Sequence, residues 1–304
     1  MRRARCGLGT VLVWIPTMAS GQADLGRSQG DPRCWTEPLW RRFREPCCQD
    51  EVSWDRMRCG TPDFSYITFA KCCQGKGYYN SADNCLHSQS QHGEENYIID
   101  TFQWQKKRDG VYVEMGAFDG ITYSNTLRLH SCFGWRGILI EGSPRNFARL
   151  QHNWPAARPI NAVAYNGAVC APPRNHVTFI TNQDGAMDAD VEHMTKEVRN
   201  HYNDTFFGEV ERIPCKPMSS YLRGTNHVDF FALDVEGSEL EVLLTMDFTE
   251  VTVEVFMIEF HWFDPEKKWK IQNLLKSLGY LECRKSLDIN HLFVRKDGPY
   301  VGRC

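Results

Sequence analysis

Three short stretches set acidic side chains beside glycine at the ends of apolar runs: Glu114-Met-Gly116-Ala117-Phe118-Asp119-Gly120, Glu141-Gly142 and Asp234-Val-Glu236-Gly237. Glycine there lets backbone approach a ligand closely and adopt positive φ. A dinucleotide-binding turn would read Gly-x-Gly-x-x-Gly, and Phe118 stands where its second glycine belongs, which disfavours pyrophosphate and a nicotinamide oxidoreductase. Acids on both sides of the turn suit a ligand with a cationic amine or sulfonium. Glu141, twenty-one residues after Gly120, falls where a carboxylate can accept hydrogen bonds from both hydroxyls of a ribose. Asp234 and Glu236 point the same way in an extended chain and can line one wall of a cleft. Glu259-Phe-His261-Trp262 adds a carboxylate, an imidazole and an aromatic wall. A single acid at a strand end is commonly a solvated cap, and His261 fits a hydrogen-bonded rim residue as well as a catalytic one. The common register of these acids within βαβ units gives them weight.

The surrounding pattern supplies the elements that must hold them. From Tyr97 onward, strands alternate with helices: a strand at Val111–Met115, a helix over Ser124–Cys132 stopped by Gly134, and a strand at Gly137–Ile140. Ser143 and Pro144 open a helix running to His152, and a strand follows at Pro159–Ala164. Further on come a strand at Val228–Leu233, a helix from Ser238 with Ser238 and Glu241 as a capping box, and a strand at Val255–Phe260. Ile271, Leu274, Leu275 and Leu278 give one apolar helix face. Tyr280–Lys285 and His291–Arg295 are joined too closely for a parallel crossover, so they pair antiparallel. The result is an open α/β sheet with a closing hairpin. The pattern is less clean from Arg174 to His227, where a strand Val177–Ile180, a helix Asp188–Asn200 and a loop holding Asn203-Asp-Thr205 are expected to overhang the ligand face.

Residues 111–127, 134–147 and 229–243 together resemble the FkbM-type methyltransferases. The resemblance covers about residues 91–297. It implies a class I S-adenosylmethionine-dependent fold, with a Rossmann-like seven-stranded sheet whose last strand is antiparallel. It also implies that Glu114, Gly116, Ala117, Asp119 and Gly120 form the loop around the methionine part of the cofactor, with Ser124 and Asn125 nearby. Glu141 then binds the ribose, and Asp234 and Glu236 face the sulfonium and the acceptor. The family is associated with O-methylation of hydroxyl groups in sugars and secondary metabolites, which implies a glycan or small-molecule acceptor. An alcohol must lose its proton on methylation, and His261, Asp234 and Glu236 are unranked candidates for the base. The Asp-Asp-Asn magnesium set of some O-methyltransferases is not evident, so the expectation is a metal-independent enzyme. The alternative is a secreted binding protein that keeps the fold without turnover.

Arg2, Arg3 and Arg5, an apolar stretch within Gly7–Met18 and small residues to Ala23 follow the order of a secretory signal peptide, predicting cleavage after Ala23. That stretch is too short to span a membrane, and no transmembrane segment is expected. Loss of three arginines and no acid takes the formal charge from −3 to −6, which makes nucleic acid an improbable partner. Of the 13 cysteines, seven lie in residues 34–85, where Cys34…Cys47-Cys48 and Cys59…Cys72-Cys73 repeat with a period of 25. This predicts a small disulfide-rich module over residues 24–90, with its linker, ahead of a larger domain at 91–304. The oxidising lumen that such a module needs agrees with the leader, and Asn203 would there be a glycosylation acceptor.

Overall fold

The computed structural model describes residues 88–153, 162–182, 188–194, 207–260, 264–285 and 287–304. The expected signal peptide, the cysteine repeats, His261 and the Asn203 motif lie outside them. Helix α1 (Glu94–Phe102) leads into β1 (Val111–Met115), α2 (Leu127–Phe133), β2 (Arg136–Glu141), α3 (Pro144–Asn153) and β3 (Ala162–Asn166). A second set follows: β4 (Ala168–Val169), β5 (His176–Asn182), β6 (Ala189–Asp190) and β7 (Phe207–Lys216). After the short α4 (Met218–Tyr221) the chain returns through β8 (His227–Leu233), α5 (Glu239–Leu244), β9 (Thr252–Glu259) and α6 (Pro265–Ser277), and closes with β10 (Tyr280–Glu282) and β11 (Asn290–Arg295).

The main sheet has seven strands in the order β10-β11-β9-β8-β1-β2-β3. The pairs from β9 to β3 are parallel, and β11 runs antiparallel between β9 and β10. The expected antiparallel hairpin is present. This is the class I methyltransferase arrangement. Chain order reverses between β1 and β8, so the ligand crevice of an open α/β sheet belongs at the carboxyl ends of these two strands. Both are nearly continuous apolar runs because helices cover both faces. Asp229 is the polar exception inside β8: its Oδ2 accepts from Val111 N at 2.9 Å and its Oδ1 pairs with Lys107 Nζ at 3.0 Å.

One core face gathers Phe231, Phe256, Ile258, Ile271 and Leu275, and the other gathers Trp104, Tyr112, Trp135 and Phe230, all fully or almost fully buried. Ile271 and Leu275 carry the buried face of α6 as the spacing predicts, whereas Leu278 is 37% exposed past the helix end. Among the described residues no helix is long and apolar enough to cross a membrane.

Three local expectations are corrected. Helix α2 starts at Leu127 rather than Ser124, because residues 121–126 form a turn tied down by two upstream carboxylates. The Ser238–Glu241 capping box does not form. Glu239 Oε1 instead accepts from Gly237 N at 2.9 Å, and Glu241 Oε1 accepts from Ala171 N at 2.9 Å. Residues 188–194 are not helical: Ala189–Asp190 is a strand on β5, followed by a turn.

The insertion is a sheet of its own, ordered β4-β7-β5-β6. Cys170–Cys215 joins β4 to β7 at its root, with Cα atoms 5.5 Å apart, and Cys283–Cys304 ties the chain end to the region after β10. Cys132 is disulfide-bonded as well.

Candidate active site

An open hollow of about 920 Å3 lies over the β1–β8 switch point, with walls from the ends of β1, β2 and β8 and from the second sheet. Its floor is set by a backbone crossing. Gly116 N and Ala117 N both donate to Ile140 O, at 3.0 and 3.1 Å, and Asp234 N donates to Met115 O at 3.1 Å. Gly116 has φ +87°, and a Cβ there would lie 1.7 Å from the Asp234 carbonyl oxygen. Glycine at this position lets two strand ends cross.

The carboxylates serve unequal ends. Glu114, 4% exposed, accepts from Asn125 N at 2.7 Å through Oε1 and from Ser124 Oγ and Thr126 Oγ1 at 2.9 and 2.6 Å through Oε2. It is the clamp that shapes the entry to α2 and sets Ser124 and Asn125 against the hollow. Asp119 accepts from Ile121 N, Thr122 N and Thr122 Oγ1, so it builds the turn; neither Asp119 nor Gly120 lines the hollow. Glu141 accepts one backbone N–H on each oxygen, from Phe118 at 2.7 Å and Ser143 at 2.8 Å, latching the β1 loop to the end of β2. The Asn146 side chain bonds to it as well, which leaves part of the carboxylate's roughly four lone-pair sites for a ligand hydroxyl.

Burial raises two of these carboxyls from an ordinary 4.5, Glu114 to about 7 and Glu141 to about 8, and also that of Glu95 on α1, to about 8, although hydrogen bonds to the ionised forms pull the other way. The folded protein therefore retains protons that the unfolded chain has already lost. Stability should fall as pH rises from 7 to about 8.5, through the folded-state values, while His130 and His291, whose pKa burial lowers, act in the opposite sense only below about 6.5. A higher melting temperature at pH 8.5 than at pH 7 would refute this.

Asp234, Glu236 and Glu259 form a second group, with carboxyl oxygens within 4.8 Å of one another. Glu236 holds φ +52°, a left-handed backbone that a non-glycine residue adopts only when its surroundings fix it. Glu259 is 7% exposed, and burial, with Asp234 and Glu236 facing it, pushes its carboxyl well above the ordinary range. Three acids so close resist ionising together, and burial sets Glu259 toward its protonated form. The same three oxygens are of a type that could hold a hard divalent cation.

The second sheet brings Phe179, Asp188 and Asp190 to the hollow, all three missed by sequence reasoning. Their only signal was an acid-bearing stretch in an insertion of irregular pattern. Arg145 Nη2 lies 3.4 Å from Asp188 Oδ1, which neutralises that carboxylate. Among the described residues lining the hollow there is no lysine, arginine or histidine.

Residues 114–287 match the Methyltransferase FkbM domain, more than half of the chain. The chain belongs to the FkbM methyltransferase family. No curated protein sequence matches. Among solved structures, methyltransferase FkbM from Methylobacillus flagellatus is 12% identical, with 84% of this chain and 58% of that chain covered and a TM-score of 0.37. The fibrillarin pre-rRNA processing protein of Methanococcus jannaschii is 14% identical, with 68% and 76% covered and a TM-score of 0.39. The amino pentose methyltransferase CalS10 of Micromonospora echinaspora is 9% identical, with 62% and 59% covered and a TM-score of 0.31.

S-adenosylmethionine is the cofactor of this FkbM domain, and the residues present fit it. Asn125 Oδ1, buried in its wall, has no hydrogen-bond partner among the described residues and can receive an amine. Glu141, Asp234 and Glu236 also line the hollow, carboxylates of the kind that can accept ribose hydroxyls and face a sulfonium.

Proposed function

We propose that this FkbM methyltransferase methylates a hydroxyl group of a glycan or other small molecule in the lumen of the secretory pathway or outside the cell. The observation that carries the reading is the makeup of the described hollow: carboxylates on several walls, an aromatic ring at Phe179 and no lysine or arginine. Such a site favours a neutral, hydroxyl-bearing acceptor over a phosphorylated or carboxylated one.

Bound S-adenosylmethionine supplies an electrophilic methyl group. The protein's task is to hold the acceptor oxygen about 3 Å from that carbon and in line with the bond that breaks, which is where most of the rate is gained. Ionised Asp234 or Glu236 can accept the hydroxyl proton, while protonated Glu259 keeps the neighbouring negative charge in check. His261 is a third candidate base. The compartment rests on the leader-like N-terminus, and the Cys170–Cys215 and Cys283–Cys304 pairs accord with an oxidising environment.

The test is incubation of the secreted protein with methyl-labelled cofactor and a panel of neutral and anionic glycans. Transfer to a neutral acceptor with formation of a methyl ether is expected. Failure to bind the cofactor would end the reading, and binding with no transfer to any acceptor would favour the non-catalytic alternative. A mobility shift on glycosidase treatment, lost in Asn203→Gln, reports entry into the lumen.

A further inference from the structure

Glu141 is joined to the second sheet through an amide. The stretch Glu141-Gly-Ser143-Pro-Arg145-Asn146 turns from β2 into α3, and Asn146 N donates to Ser143 Oγ at 3.4 Å, which seats the residue in the first turn of the helix. Asn146 is 1% exposed and lines the hollow, as does Asp188, whose side chain is 2% exposed. Asn146 Nδ2 donates to Asp188 Oδ2 at 3.3 Å, and the same side chain bonds to Glu141. An ionised carboxylate only accepts, so the two bonds take the two Nδ2 hydrogens and set Glu141 and Asp188 about one nitrogen. Arg145 Nη2, 3.4 Å from Asp188 Oδ1, adds a cation beside Asp188.

We infer that Asn146 and Asp188 are positioning residues for the cofactor: through them the insertion's sheet orients the Glu141 carboxylate and sets the pH above which the ligand is held tightly. The inference rests on the reading of Glu141 as acceptor of the ribose hydroxyls. An amide with both hydrogens engaged cannot turn without breaking a bond, so it fixes the carboxylate it serves, as outer partners fix the groups that touch a ligand. The two residues act oppositely on ionisation. Burial is the main reason the Glu141 carboxyl stands at about 8; the Asp188 charge raises it further, and the Asn146 bond pulls it down. The other carboxyls lining the hollow are Glu114 on β1, Asp190 on β6, and Asp234 and Glu236 after β8. Hydroxyl donors favour ionised Glu141, so loss of Asp188 and loss of Asn146 should move the pH dependence of binding in opposite directions.

Binding of S-adenosylhomocysteine to the full-length secreted protein is followed by calorimetry from pH 6 to 9, with thermal melts of each variant. Asp188→Asn keeps the side-chain shape and an oxygen for Asn146. It should shift the rising limb of affinity to lower pH by half a unit or more, giving about threefold tighter binding at pH 6.5 with affinity at pH 9 unchanged within threefold. Asn146→Ala should shift the limb to higher pH and weaken binding at pH 9 by fivefold or more. A side chain that served packing alone would lower affinity at every pH and leave the limb in place. If Glu141→Ala weakens binding but the limb in Asp188→Asn stays where the wild type has it, the inference is overturned and the cofactor reading stands. An unmoved limb in Asn146→Ala likewise removes the bridge. If Glu141→Ala binds like the wild type, or the wild type binds nothing, the reading of Glu141 fails and the inference with it.

Discussion

Replacing Gly116 with alanine should abolish cofactor binding and strongly destabilise the fold. The added methyl would stand 1.7 Å from the Asp234 carbonyl oxygen, and that oxygen belongs to backbone at the sheet's centre rather than to a side chain that can swing away. Positive φ adds its own strain, and together strain and overpacking cost about 3–5 kcal/mol. Relief requires β1 and β8 to separate where the hollow has its floor, so stability and binding should fail together. Gly134→Ala is the control. It has φ +73° at the end of α2 but nothing within 4 Å of the new Cβ, so only the backbone penalty of about 1–2 kcal/mol applies. Thermal melts of both variants, with calorimetry against S-adenosylhomocysteine, check this. Comparable losses in the two would mean that the crossing is not tight.

Glu141→Ala should weaken S-adenosylhomocysteine binding by a hundredfold or more. Two effects combine. The substitution removes acceptors for two ribose hydroxyls, about 1.5–3 kcal/mol each for hydrogen bonds to a charged group. It also strands the N–H groups of Phe118 and Ser143, which loosens the loop that must meet the ligand. The pH dependence carries a separate signature. Burial holds the Glu141 carboxyl at about 8 in the free protein, whereas hydroxyl donors favour its ionised form. Binding therefore expels a proton, and affinity should rise by up to tenfold per pH unit below about 8 and level off above it. Glu141→Gln should bind weakly with a flat profile. A wild-type affinity for Glu141→Ala would remove Glu141 from the ribose site.

Much of this protein was legible in one dimension because the relevant signals are short. Helix α3 begins at Pro144, α2 ends against Gly134, and the apolar runs of β1, β2, β8 and β9 are contiguous in sequence. Periodicity over a few residues is fixed by backbone geometry, so the alternating pattern and the β10–β11 hairpin could be read directly. The acid-glycine turns at 114–120, 141–142 and 234–237 were likewise visible, and the structure brings Glu114, Glu141, Asp234 and Glu236 to one hollow.

Local patterning thus specified the open sheet, the succession of its elements and the edge that carries chemistry. What each acid does there depends on the packed fold. Asp119 spends its oxygens on its own turn, Glu114 on groups ten to twelve residues away, and Glu141 on an amide twenty-three residues back, while Glu259 meets Asp234 from another strand. That the insertion overhangs the site was read from the sequence, but Asp188 and Asp190 lining the hollow was not: Ala189–Asp190 is a strand because β5 offers it a partner, not because two residues have a period. A carboxylate's role is set by which donors reach it and how much water remains around it, and both depend on distances that spacing along the chain does not encode.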